Sequence, residues 1–439
     1  MKQTEAEAWV VTVDMGLGHQ RATQPLAHLA CEGIMAVGSD SSSDPEERRL
    51  WQRMRRTYEF LSRVRNVPLV GKPLFGVLDT LQNIPPFYPI QDMSRPSYQV
   101  RLLSSFIDKG LCRGMVEKIR TRPLPLVTSY LAPAIAADKA GYGLIYCIIC
   151  DAEISRAWVP EDARSSRINY LAPCGRAVMR LRSYGVPDER IFLTGFPFDL
   201  ELLGGQNLDI LKHDAAQRLL HLDPEMRFWP LHGRNVAHFL GRGNCHAASA
   251  RPLTITYAVG GAGAQKEIGA QLAESFRDHL SRGELHLNLV AGVRKEVKDY
   301  FEEVKTALLP ASPSLRIIYA DDKASYFREF NRAIRETDLL WTKPSELSFF
   351  CGLGIPMIMA PTIGSQEEFN RKWLLEIQAG IPQEDPAYAH QWLFDLLREG
   401  RLAESAWDGF LKARKYGTYK IRELLETGTM ARETSPLKR

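Results

Sequence analysis

The sequence predicts an α/β protein of two domains, each a parallel sheet wrapped by helices. Three observations predict it. Short apolar runs alternate with helical periods along most of the chain, the β-α-β-α order of a doubly wound sheet. A glycine-rich turn follows the first strand of each half, at Gly16-Leu17-Gly18 and at Gly260-Gly261-Ala262-Gly263. The chain has 439 residues, and ~100–200 residues per domain makes that two domains with room for a third. The expected boundaries are a first Rossmann-like domain over 1–200, a linker with an insertion over 201–250, a second Rossmann-like domain over 251–400, and a C-terminal helix and tail over 401–439.

The first strand is expected at Trp9–Val13, with a helix from about Thr23. Leu126–Ser129 is a second strand, followed by a helix over Ala132–Lys139. Leu144–Cys150 is apolar and β-branched enough for a strand buried on both faces. Asn169–Ala172, the helix Gly175–Ser183 and the strand Ile191–Thr194 continue the alternation. Phe228–Ala250 mixes histidine, glycine and arginine without a period, hence the linker. Alternation resumes with strands at Leu253–Val259, Leu285–Val290, Leu315–Tyr319, Leu339–Trp341 and Met357–Ala360. A basic helical segment, Ala406–Glu426, closes the pattern.

Composition excludes several classes. Hydrophobic residues make up 45% and charged residues 25%, so a disordered, collagen-like or coiled-coil chain is not expected. The net charge is only +4, too small for a dedicated nucleic-acid binder. Seven cysteines scattered over the chain read as reduced thiols, the cytosolic pattern. No run reaches the ~20 apolar residues of a membrane span, and the N-terminus lacks a signal-peptide pattern. The expectation is a cytoplasmic protein with no resident cofactor.

Ligands of open α/β sheets bind at the carboxyl ends of strands, so the turns there hold the candidates. Gly16 and Gly18 allow a sharp turn, and His19 follows at the sheet edge. A histidine there suits a general base near neutral pH; a structural turn with a solvated histidine fits the spacing as well. Gly260-Gly261-Ala262-Gly263-Ala264-Gln265-Lys266 ends in a helix N-terminus, an anion site by its free amides and dipole, or else a plain tight turn. It is neither a Walker loop nor a GxGxxG fingerprint. The turns after Val290 and Trp341 add Arg294, Thr342, Lys343, Ser345 and Glu346. Gln366, Glu367 and Asn370 share about one helical turn; carboxylate and amides so grouped suit a hydroxyl-rich ligand, and equally a polar helix start.

Cys147-Ile148-Ile149-Cys150 spells CxxC, but in a strand the thiols diverge, and no second pair completes a zinc site. Asp151-Ala152-Glu153 is weak evidence for a metal. His232, His238, Cys245 and His246 match no standard finger spacing. Arg48–Tyr88 interleaves basic and aromatic residues, which fits an anionic membrane surface or a helix pair packed over the first sheet.

Together these pieces resemble the GT-B glycosyltransferases, nearest the monogalactosyldiacylglycerol synthases and diacylglycerol glucosyltransferases, and more distantly the peptidoglycan lipid-intermediate GlcNAc transferase MurG. The resemblance covers most of 8–200 and 253–385. Gly16-Leu17-Gly18-His19 looks like the family's glycine-rich loop, whose histidine activates the acceptor. Leu193-Thr194-Gly195-Phe196-Pro197 resembles the "G-x-P" turn closing the acceptor domain. Asp338–Lys343 is similar to the strand entering the nucleotide site, and Gln366-Glu367-Glu368-Phe369-Asn370 matches the "Q-E-x-x-N" donor-sugar loop.

The resemblance implies two facing domains with a cleft and a metal-independent, inverting transfer. A hexosyl or N-acetylhexosaminyl unit would pass from a nucleotide-diphosphate sugar, UDP-linked by expectation, to a lipid-linked or other hydroxyl acceptor. It implies His19 as base and Gly16, Gly18 and Asp151 on the acceptor side. The turn Gly260–Lys266, with Gly260, Gly261, Gly263 and Gln265, and nearby helix N-termini would hold the diphosphate, and Gln366 and Glu367 the sugar hydroxyls. Arg294, Thr342, Lys343, Ser345 and Asn370 complete the expected donor-binding set. Relatives carry a ribose-binding Glu where Phe349 stands here; Glu346, three residues earlier, is the expected substitute. The chain also departs where relatives place a histidine soon after the acidic strand end: Arg156 and Trp158 occupy that region. The implied partners are a nucleotide sugar, a lipid acceptor and an anionic membrane touched peripherally. The alternatives are a non-catalytic nucleotide-sugar-binding or scaffold protein and a GT-B sugar epimerase.

Overall fold

The structure, a computed structural model, describes residues 6–38, 44–64, 84–245, 251–260, 263–310 and 312–431. They form two compact units, Met1–Pro197 with Tyr416–Arg432, and Phe198–Lys415. Each is a doubly wound α/β unit with a six-stranded parallel sheet.

The first sheet comprises β1 (Trp9–Val13), β2 (Met35–Val37), β3 (Leu126–Thr128), β4 (Ile145–Ile148), β5 (Ile168–Ala172) and β6 (Ile191–Leu193), in the order β2-β1-β3-β4-β5-β6. Every residue of β1, β3, β4 and β5 is buried, which is why these strands read as unbroken apolar runs. The second sheet comprises β7 (Leu253–Ala258), β8 (Leu285–Gly292), β9 (Leu315–Tyr319), β10 (Leu339–Thr342), β11 (Met357–Met359) and β12 (Gly380–Pro382), in the order β12-β11-β10-β7-β8-β9. Counted within the unit this is 3-2-1-4-5-6, the Rossmann order. The first sheet instead begins 2-1-3-4-5, the flavodoxin order.

Three expectations need correction. The first helix begins at Leu17, not near Thr23, so Gly18 and His19 lie inside its first turn. Two glycines in three residues lower helix propensity, and packing against β1 overrides them. Residues 201–240 are not an irregular linker. They form helices at Leu200–Leu203, Asp209–His221 and Trp229–Leu240. Buried Asp223 organises the last of these by accepting from the amides of Arg227 (2.7 Å), Phe228 (3.0 Å) and Trp229 (2.9 Å). Fully buried Arg218 ties Asp209–His221 to the second sheet. Its guanidinium donates to the carbonyls of Thr337 (2.6 Å) and Leu353 (2.8 Å), and burial lowers its pKa to about 10, which keeps it charged at neutral pH.

The closing segment is also two helices rather than one, Arg401–Lys412 and Gly417–Thr427. The chain passes back into the first unit between them. Gly417 is the point of closest approach: a Cβ there would lie 2.3 Å from the carbonyl oxygen of Phe196. Edge strands β2 and β12 span three residues each, too short for a periodic signal.

All seven cysteines are free thiols, and burial pushes those of Cys147 and Cys174 upward. No helix among the described residues is long and apolar enough to cross a membrane.

Candidate functional site

Strand order reverses between β1 and β3 in the first sheet and between β7 and β10 in the second. Such switch points open a crevice at the carboxyl ends of the strands, where α/β sheets bind ligands. His19 lies at the first, and Gly260 and Lys343 at the second.

At the first, the chain leaves β1 and turns at Gly16 with φ +110°, a conformation that disfavours any side chain. Gln20 locks the turn by donating to Asp14 Oδ1 (3.1 Å). His19 Nδ1 lies 2.8 Å from the carbonyl oxygen of Ser129, the residue after β3. A carbonyl only accepts, so Nδ1 carries the proton, and in the neutral ring Nε2 holds the basic lone pair. The His19 ring meets Tyr130 edge-on at 4.9 Å, with Trp158 at 6.2 Å. One backbone acceptor and two aromatic walls thus fix tautomer and ring plane.

Asp151 is half-buried at the end of β4. Glu153 is fully buried, and both its oxygens are engaged. Arg176 Nε donates to Oε1 (2.8 Å) and Arg180 Nε to Oε2 (2.9 Å). Its commitment to two arginines removes the Asp151–Glu153 pair as a metal site. Among the described residues no group of His, Cys, Asp and Glu could hold a metal ion. His232 and His238 lie on a helix, His232 stacked on Phe228 at 4.7 Å, and His246 is outside the described residues. Arg156 is structural. Its guanidinium donates to the carbonyls of Ser94 (2.8 Å) and Pro160 (2.9 Å).

At the second switch point, Gly260 and Gly263 close a turn through the Gly263 amide and the Gly260 carbonyl (2.7 Å). Gly263 has φ +72°. Gly261 lies outside the described residues. Gln265 caps the helix Lys266–Ser275 in a left-handed conformation, φ +67°, a strained state for a residue with a Cβ. Its backbone carbonyl accepts from the Tyr257 hydroxyl (2.5 Å), and its side-chain Nε2 donates to the Pro361 carbonyl (2.8 Å). Lys343, one residue beyond β10, passes directly over Gly260 and pairs with Glu367. Glu367 Oε2 also accepts from the amides of Ile363 (2.6 Å) and Gly364 (3.2 Å). That is half of a capping box, since glycine supplies no side chain for the reciprocal bond.

The other candidates divide. Gln366 is half-buried in the first turn of the helix Ser365–Glu376. Arg294 lies beside Gly263, whose added Cβ would be 3.4 Å from its Cδ, and it pairs with Glu296 (3.3 Å). Ser345 precedes the 3₁₀ segment Glu346–Leu353 at its N-cap position, with no side-chain capping bond. Thr342 is turned away: its buried hydroxyl donates to the Ala258 carbonyl (2.9 Å). Asn370 is fully buried, its amide 3.5 Å from the Pro344 carbonyl, so it links the two loops. Phe349 packs into the core against Trp373 at 5.0 Å. Glu346 is half-buried, and three residues per 3₁₀ turn put it on the same side as Phe349.

At its amino end β10 is anchored by buried Asp338. Burial alone would raise its pKa, but hydrogen bonds from His221 and Arg251 outweigh that and hold it below the usual carboxylate value.

No family model matches the chain, and no curated protein matches it. Among solved structures it is similar to S. aureus MnaA in a UDP co-structure, at 11% identity over 96% of both chains with a TM-score of 0.48. It is also similar to the UDP-GlcNAc 2-epimerase of Neisseria meningitidis bound to UDP-GlcNAc, at 9% identity over 95% of this chain and 98% of that one, TM-score 0.46. MurG of Acinetobacter baumannii gives 13% identity over 95% and 99%, TM-score 0.46. At such identities the likeness extends to no individual residue.

The sequence reading missed Ser129 and Tyr130. Nothing in their own segment marks them; only the β1–β3 pairing brings them to His19.

Proposed function

We propose that this chain is a nucleotide-sugar-dependent glycosyltransferase of the GT-B type, with His19 as the base. The observation that carries the reading is the Nδ1–Ser129 hydrogen bond at a switch point. It presents Nε2 as a proton acceptor at the place where α/β sheets bind ligands. The acceptor hydroxyl gives its proton to Nε2 as its oxygen attacks the anomeric carbon. The nucleoside diphosphate leaves from the opposite side, so the configuration inverts. The imidazolium keeps its Nδ1–H on Ser129. At the second switch point Lys343 and the N-terminal amides of Lys266–Ser275 meet the leaving diphosphate's charge. Gln366 and Glu367 take sugar hydroxyls and Glu346 the ribose, with no metal required.

The acceptor we propose is lipid-linked. Residues 88–98 expose Tyr88 (70%), Ile90 (74%) and Tyr98 (59%). The chain is held firmly just before them: Arg180 donates to the Pro85 carbonyl (3.0 Å) and lies 5.1 Å over the Phe87 ring. The helix Pro45–Val64 adds Arg48, Arg49 and Arg53. Residues 65–83 of the basic-aromatic region lie outside the described residues. Exposed apolar side chains on one segment and arginines on another are the two ingredients an anionic membrane surface would attract. Co-sedimentation with anionic liposomes should occur at low salt and fall when Tyr88 and Ile90 are made Ser; indifference of the wild type to such liposomes would point to a water-soluble acceptor.

Phe349 in the core favours one other reading, a nucleotide-sugar binder without activity, because the ribose carboxylate of relatives is absent there. Thermal shift with UDP and UDP-sugars, then turnover of wild type and His19→Ala, separates the readings. Transferase activity lost in His19→Ala with UDP binding kept supports the proposal. UDP binding without turnover in either protein supports the binder.

A further inference from the structure

Lys343 and Glu367 form an ion pair at the second switch point. Lys343 crosses Gly260 so closely that a Cβ there would sit 2.3 Å from its Cε and 3.2 Å from its Nζ. Its ammonium ends on Glu367 Oε1, with the two side chains 17% and 14% exposed. The other carboxylate oxygen is held independently by the Ile363 and Gly364 amides. The two partners are therefore unequally fixed. Glu367 is pinned by backbone at the third position of a twelve-residue helix, where the dipole favours an anion. Lys343 is a point charge on a flexible four-carbon stem that can change partners.

We propose that Glu367 is an internal counterion that holds Lys343 in place of a phosphate, and that donor binding exchanges the partners. The Lys343 ammonium transfers to the diphosphate, and the carboxylate it leaves turns to the sugar hydroxyls. The exchange rests on the transferase reading for the identity of the donor. Its chemistry requires only a diphosphate anion reaching the turn at Gly260. It keeps a half-buried cation compensated before the donor arrives. It also makes the carboxylate available to the sugar only once the diphosphate is seated, so the two halves of the donor bind cooperatively.

The inference predicts effects of opposite sign. A carboxylate that only touches sugar leaves diphosphate affinity unchanged when neutralised, and one that only shapes the loop weakens every ligand. A counterion that must be displaced opposes diphosphate binding, so neutralising it tightens that binding. Calorimetry with UDP, inorganic pyrophosphate and a UDP-hexose on wild type, Glu367→Gln, Lys343→Gln and the double variant decides among these. Glu367→Gln should bind UDP and pyrophosphate several-fold more tightly and the UDP-hexose more weakly relative to UDP. Lys343→Gln should lose about tenfold for UDP, and on that background Glu367→Gln should change UDP affinity no further, the signature of a coupled pair. Unchanged or weaker UDP and pyrophosphate binding by Glu367→Gln, with the melting temperature of wild type, overturns the exchange. If Glu367→Gln melts early, Glu367→Asp, which keeps the charge, must fail to tighten UDP, and tightening there overturns it as well. Pyrophosphate binding with the predicted signs but no preference for UDP keeps the exchange and removes the nucleotide-sugar reading; no binding of either anion to the wild type removes both.

Discussion

The two switch points solve the same placement problem with opposite materials. In the first unit, His19 is fixed by a neutral backbone carbonyl at 2.8 Å and by aromatic rings. These partners carry no charge that a ligand could compete for, and they set one tautomer and one ring orientation. In the second, Lys343 is held by a carboxylate, a partner that a competing anion can replace. On the proposed reading the contrast has a use: a base would have to present one atom in one direction, which a rigid neutral acceptor secures. A diphosphate site would have to take up and then release a multiply charged product, which an exchangeable counterion suits. The difference matches the glycines as well. Gly16 serves a backbone angle, whereas Gly260 serves the passage of a side chain.

The comparison can be broken most decisively at His19. His19→Ala should lower turnover by ~10²–10⁴-fold, the range for an acid–base group, while UDP affinity stays within a factor of two or so; equal losses in both would show that the two edges are not separable. Next in size is Gly260→Ala. Its Cβ forces the Lys343 stem aside, which weakens the charge-assisted hydrogen bond to the diphosphate and should cost up to about tenfold in UDP affinity, no more than the loss of Lys343 itself. Circular dichroism should show an intact fold. If UDP affinity holds, the route of Lys343 over Gly260 is incidental. The smallest effect belongs to Thr342→Val. Loss of the hydroxyl bond to Ala258 should cost about 1 kcal/mol of stability and leave UDP affinity alone, which would confirm that this candidate serves the sheet and not the ligand. A tenfold loss of UDP affinity would return Thr342 to the site.

The architecture was largely legible because parallel strands buried on both faces are rich in apolar and β-branched residues. Strands β3, β4, β5, β7 and β10 carry that mark, while β8 and β9 kept enough of it despite His286, Asn288 and Arg316. Strands β2 and β12 were not, since three residues at a sheet edge leave no period to read. The helices of 201–240 were hidden for another reason. Arg218 acts on carbonyls distant in sequence, at Thr337 and Leu353, and such tertiary bonds have no local signature. Asp223 caps the next helix from a few residues upstream, in a stretch without an apolar period to flag it. At the site, residues that turn the chain were visible: Gly16, Gly260 and Gly263. Residues that act through tertiary pairing were not. Ser129 contributes a carbonyl, which every residue has, and the orientation of Thr342 depends on which strand lies beside it. The Asp151–Glu153 pair shows the converse. Two acids in three residues suggest a metal, but the partners of Glu153, Arg176 and Arg180, are specified only by the fold.

The return of the chain at Tyr416 has a consequence for biosynthesis. The helix Gly417–Thr427 belongs to the first unit, and Gly417 fits against Phe196 with no space for a β-carbon. A ribosome delivers the six strands of the first sheet early, yet the element that covers the turn after β6 emerges only after all six strands of the second sheet have been made. The described part of the second unit, by contrast, runs without a break from Phe198 to Lys415. The half of the molecule that carries His19 is thus begun first, but receives this helix only after every strand of the other half.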